Sequence, residues 1–217
     1  MKTFKTWLFE SFKDNFGILF KNEDFLNNLR LLSVNVNILP KASTHSGAYG
    51  QVYFFGDKVV KLTKNKKEYD VSQVLKQKCP NEVAILGSFI VNQDIFCIVQ
   101  KKLETSSTII DHPAYAIRYY VTNKPKSEIA NLLKVVSVNQ IYQHLKDNVK
   151  TNPQISFYID RIETEEQMNY LIEIWQMIKN IYFSTGFIFT DLKSENIGID
   201  NGKLKLFDFD EFDNIDD

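Results

Sequence analysis

The sequence predicts an α+β protein with a strand-rich first part and a helical second part. Three observations predict it. Short strand-like runs separated by turn residues crowd into residues 38–103, beginning with GQVYFF, a Gly56-Asp57 turn and KVVKLT. Helix-period patterns take over after Leu103. A last set of short strands, FIF, IGID and KLKLFDF, follows a helix stop at Gly186. The 217 residues suffice for one sizeable core or for two smaller parts sharing a ligand crevice.

The elements follow in chain order. Residues 1–37 form a helical extension, two short helices around Asn15-Phe16-Gly17. The first carries Phe4, Leu8 and Phe12 at helical spacing, with Lys2, Lys5 and Lys13 nearby. Its aromatic face docks on the main body or lies on a membrane surface; Glu10 and Asp14 dilute the basic face and favour the first option. The same two acidic residues, with Lys13, exclude a secretory signal, and no run of the chain is apolar enough to span a bilayer. After the first hairpin, KNKKEYDVSQVLKQK places Val71 and Leu75 four apart, a helix. EVAILGSFIVN and DIFCIVQKKL are strands joined at Asn92-Gln93-Asp94.

In the second part, Pro125 suits the first turn of a helix running to Val136, and another helix covers Gln140 to Val149. Thr164 and Gln167 form a capping-box pair ahead of a helix whose apolar face carries Met168, Leu171, Ile172, Trp175, Ile178 and Tyr182. Gly186 ends it in the left-handed position. Asn201-Gly202 turns one strand into the next, and DEFDNIDD reads as an acidic, frayed tail.

Composition sets limits. The net charge of −1 gives no global attraction to nucleic acid. Cys79 and Cys97 lack metal-ligand spacing and read as reduced core residues of a cytoplasmic protein.

Several polar residues stand where a core would not place them. Gly47 and Gly50 open the first hairpin, where a missing Cβ lets backbone amides approach phosphate oxygens. Lys61 sits between Val60 and Leu62 on a strand; a lone strand lysine most often faces water, and otherwise reaches a specific anion. Glu68 on the next helix could pair with it, or be an ordinary exposed glutamate. TDLKSEN puts Asp191, Lys193 and Asn196 in one loop ahead of the apolar IGI. In LFDFDEF, Asp208 interrupts an apolar stretch, so a metal or a lysine is expected nearby, unless its carboxylate is in water at a capped turn.

Taken as an ordered set, GAYGQV, VVK, TDLKSEN and DFD resemble the protein kinase superfamily over about residues 43–213. DLKSEN is close to the form found in Ser/Thr-type kinases. The resemblance implies a bilobal fold with an N-lobe over 38–103 and a reduced C-lobe over 104–217. It implies ATP and Mg2+ (or Mn2+) as cofactors. Gly47 and Gly50 would cover the phosphates, with Tyr49 at the loop tip. Lys61, held by Glu68, would bind the α- and β-phosphates. Adenine would lie against the backbone of Gln100, Lys101, Lys102 and Leu103 under Val52. Asn196 and Asp208 would hold the metal. Asp191 would orient the attacking hydroxyl and accept its proton, and Lys193 would neutralise the moving phosphoryl group.

The sequence also departs from that family. His45 stands at the first loop glycine, and Phe189-Thr190 replace the His-Arg expected before Asp191. An activation segment and late helices are missing after Asp208, a compactness that would suit a viral or phage genome and placement in the host cytoplasm. Asp210 replaces the glycine of D-F-G; FDFDEF looks similar to the metal site of aminoglycoside phosphotransferases, and Asp210 would then be a further metal ligand. Three functions are open on this reading. They are a minimal Ser/Thr protein kinase, a small-molecule kinase, and a catalytically silent module that binds and regulates a partner protein.

Overall fold

The computed structural model describes residues 19, 21–38, 41–42, 50–104, 107–122, 124–149, 152–209 and 212–214. The predicted first helix at the N-terminus, the loop residues His45, Gly47 and Tyr49, and Asp210 lie outside them. The chain is α+β and divides into two compact units: Met1–Lys76 with Ala84–Lys102, and Gln77–Val83 with Leu103–Asp217.

The first unit is built on a five-stranded antiparallel sheet of order β1-β2-β3-β5-β4. Its strands are β1 (Lys41–Ala42), β2 (Gly50–Phe55), β3 (Lys58–Thr63), β4 (Ile85–Asn92) and β5 (Ile95–Lys101). The turn between β2 and β3 uses Gly56 at φ 62°, as the Gly-Asp pair predicts. Helix α1 (Glu23–Leu31) has the signals of a stable short helix. The Asn22 side chain accepts from Phe25 N–H, Glu23 and Asp24 occupy the first turn, and Arg30 the last. Phe25 and Leu29 from α1 bury themselves against Tyr53, Phe55, Val60, Leu62, Cys97 and Val99 of the sheet. This segment is therefore part of the sheet's own core. Helix α2 (Lys66–Lys78) follows β3 directly.

The second unit is mostly helical: α3 (Ser107–Thr122), α4 (Lys126–Val135), α5 (Ile141–Asn148), α6 (Pro153–Ile159) and α7 (Glu165–Thr185). Helix α7 is its spine. Both halves of the capping box form at Thr164 and Gln167, and Gly186 ends the helix at φ 77°. Its buried face carries Leu171, Ile174, Trp175, Met177, Ile178, Ile181 and Tyr182, so Met168 and Ile172 of the expected stripe are only half-buried. The Trp175 Nε1–H and the Lys179 ammonium both donate to the Val136 carbonyl, at 3.2 and 2.7 Å. Helix α3 contains Pro113, which breaks one helical hydrogen bond. It is held by a fully buried stripe of Ile110, Ala114, Ile117 and Val121.

Two antiparallel strand pairs complete this unit: β7 (Ile197–Asp200) with β8 (Lys203–Leu206), and β6 (Phe187–Phe189) with β9 (Phe212–Asn214). Here the frayed-tail reading of residues 210–217 is corrected for part of its length. Phe212 is 1% exposed and stacks on Phe189 at 4.5 Å, so an apolar anchor inside an acidic stretch pulls the chain back into pairing. Both cysteines are buried and free, and burial raises both thiols above their ordinary values. No helix among the described residues is long and apolar enough to cross a membrane.

Replacing Thr164 by Ala removes one half of the capping box. The expected loss is about 1 kcal/mol, read as a lower urea midpoint at unchanged slope.

Candidate functional site

The sequence-predicted residues fall into two groups, one in each unit. In the first unit, strand register places Val52, Lys61 and Ile98 directly opposite one another on β2, β3 and β5. Val60 and Leu62, the neighbours of Lys61, point the other way into the core shared with α1. Lys61 makes an ion pair with Glu68, their side chains being 14% and 1% exposed. The short spacing between them has a local cause. Thr63 ends β3, and its hydroxyl accepts from Asn65 N–H. The Asn65 side chain in turn accepts from Glu68 N–H, which sets Glu68 in the first turn of α2. Gly50 opens β2, and a Cβ there would lie 2.4 Å from the Leu62 carbonyl oxygen, so only glycine lets the strands approach this closely.

The segment Gln100 to Leu103 shows an uneven set of backbone donors. Lys101 N–H donates to Ala84 and Lys102 N–H to Asp57, while Gln100 sits buried between β3 and β4. Leu103 N–H has no acceptor among the described residues.

In the second unit the loop after β6 carries Asp191, Lys193 and Asn196. Buried Leu192 and Ile197 pin the loop at both ends, and a single 3-10 turn, Ser194–Asn196, shapes it. Asp191 is 7% exposed. Its Oδ2 accepts from the Lys193 ammonium at 2.7 Å and from the Asn196 amide at 3.0 Å. The same amide also donates to the Asp191 carbonyl at 3.0 Å. Oδ1 is buried and accepts no hydrogen bond. A guanidinium nitrogen of Arg118, from α3, lies 3.1 Å from it without hydrogen-bond alignment. Phe207 N–H donates to the Asn196 carbonyl, which fixes the loop to the segment holding Asp208. The half-buried Asp208 accepts from Phe209 N–H at 3.0 Å.

The sequence reading did not identify Arg118. No short motif surrounds it; its tie to Asp191 spans 73 residues and depends on how α3 lies against the Asp191 loop.

No family model matches the sequence, and no curated protein matches it. Among solved structures, the chain is similar to the apo form of a thermostable mutant of aminoglycoside phosphotransferase APH(4)-Ia, at 8% identity and TM-score 0.38, over 81% of this chain and 68% of that one. It is also similar to the streptomycin–ATP–APH(2")-IIa ternary complex, at 15% identity and TM-score 0.38, over 88% of this chain and 71% of that one. Both likenesses are distant, and the chemistry that follows rests on this chain's own residues.

Taking away Lys61 removes the cation paired with a buried carboxylate. Lys61→Met should cost about 3–5 kcal/mol in urea unfolding, and Lys61→Met combined with Glu68→Leu should recover most of it.

Proposed function

We propose that this protein transfers the γ-phosphate of ATP to a hydroxyl group, with a serine or threonine side chain as acceptor. One observation carries the reading. Asp191 is a buried carboxylate with one oxygen committed to two donors and the other accepting no hydrogen bond. A buried acceptor without a donor is costly, and a substrate hydroxyl supplies the missing one. Lys193, 2.7 Å from the same carboxylate, carries positive charge to the place where charge develops on the phosphoryl group. Such a transfer needs little covalent chemistry from the protein; it needs positioning and charge.

The roles follow. Asp191 takes up the hydroxyl proton as the oxygen bonds to phosphorus and the bond to ADP breaks. Lys61, fixed by Glu68, holds the α- and β-phosphates. Val52 forms the apolar roof of the adenine, and Leu103 N–H supplies a backbone donor to its edge. Gly47, Tyr49 and Gly50 would cover the phosphates.

The donor set also fits magnesium. Mg2+ prefers oxygen ligands and keeps several waters, so it needs few protein groups. Asn196 uses its amide nitrogen on Asp191, which leaves its side-chain oxygen facing outward from that bond, and Asp208 offers a carboxylate one residue beyond Phe207. These two would hold the ion, joined by Asp210. The ion would neutralise charge on the β- and γ-phosphates.

The test uses γ-labelled ATP with Mg2+ or Mn2+ and two kinds of acceptor, dephosphorylated casein and the small molecules streptomycin and hygromycin B. Label on casein is the expected result. Asp191→Asn should lower transfer about 10²–10⁴-fold while ATP affinity stays within a few-fold. Label on the small molecules alone would move the acceptor class to metabolites. A protein that transfers label to nothing would be a silent module, and the reading would fall.

A further inference from the structure

We infer that Arg118 is a positioning residue for Asp191, an inference that rests on the phosphotransferase reading and deepens it. The two donors to Oδ2 of Asp191, Lys193 and Asn196, belong to the same loop as Asp191. They hold the carboxylate within its own loop. Arg118 comes from outside that loop. Its side chain is 25% exposed and rises from α3, whose buried stripe anchors it in the helical core.

The guanidinium is itself braced. It lies over the Tyr115 ring at 5.7 Å from the centroid. Tyr115 stacks on Tyr158 of α6 at 5.2 Å and 16°, and Tyr119 stacks on the same ring at 5.4 Å and 15°. Three tyrosines from two helices thus stack together, and one of them, Tyr115, lies under the arginine that reaches Asp191. With Lys193 at Oδ2 and Arg118 beside Oδ1, rotation of the carboxylate would cost both contacts. The position of Arg118 also leaves Oδ1 without a hydrogen bond, so the cation orients the base without occupying the lone pair a hydroxyl would use. In a reaction whose rate depends on placement, loosening this brace loses turnover and spares nucleotide binding.

The experiment compares the wild-type chain with Arg118→Ala, Arg118→Lys, Tyr115→Leu and, as a control arginine in the same unit, Arg161→Ala. The probes are Mg-ATP with dephosphorylated casein, and Mg-ATP alone with water as acceptor. Arg118→Ala should lose about 10–100-fold in kcat at unchanged KM for ATP and unchanged melting temperature. Millimolar guanidinium should restore part of that loss, a rescue that a purely structural arginine would not show. Arg118→Lys should keep an intermediate rate, since charge returns without the planar fork. Tyr115→Leu should fall less, and Arg161→Ala not at all. If Arg118→Ala does not fold, the kcat and KM of Arg118→Lys decide. Wild-type rates in Arg118→Ala, or in Arg118→Lys where that variant decides, overturn this inference alone. A fall that tracks melting temperature and resists guanidinium also overturns it. A wild-type chain that binds Mg-ATP and transfers to neither acceptor defeats the phosphotransferase reading, and this inference with it.

Discussion

A carboxylate taken out of water must find cations or donors, and Asp191 finds three. Lys193, Asn196 and Arg118 surround it, two from its own loop and one from a distant helix. Satisfying the charge completely would make an inert structural ion pair. The arrangement stops short of that: charge is balanced while one oxygen still lacks a hydrogen bond. We propose that this remaining acceptor receives the substrate hydroxyl.

The same constraint shapes the first unit. Glu68 is almost wholly buried, and its ion pair with Lys61 offsets the cost of taking that carboxylate out of water. The register of β2, β3 and β5 turns Lys61 to the sheet face opposite the α1-covered core, in a row with Val52 and Ile98. In that row Lys61 is flanked by the apolar Val52 and Ile98.

Much of the fold was legible because it is written locally. The Gly-Asp turn, the capping box and Gly186 act within a few residues, and each is where the pattern places it. What escaped was decided by tertiary contacts. Pro113 obscured α3, which survives because four residues of one stripe are fully buried. Acidic neighbours masked Phe212, whose burial recruits β9. Helix α6 is a short run whose periodicity is too brief to detect, although Asn152 and Pro153 mark its start. For the candidate site, Lys61, Glu68, Asp191, Lys193 and Asn196 are named through a resemblance to an ordered set of motifs, and the contacts Lys61–Glu68 and Asp191–Lys193–Asn196 are short-range in the chain. Arg118 could not be named that way, since its partner is set by helix placement and no local pattern encodes that.

We propose that Mg-ATP binding draws on Lys61 and on Asp208. Isothermal titration calorimetry tests it most directly, with Mg-ATP titrated into the wild-type chain, Lys61→Ala and Asp208→Ala, each checked for folding by circular dichroism. The account predicts saturable binding by the wild-type chain, and an affinity at least about tenfold weaker in each variant, or about 1.4 kcal/mol. No binding by the wild-type chain, or binding that either folded variant leaves unchanged, would contradict it.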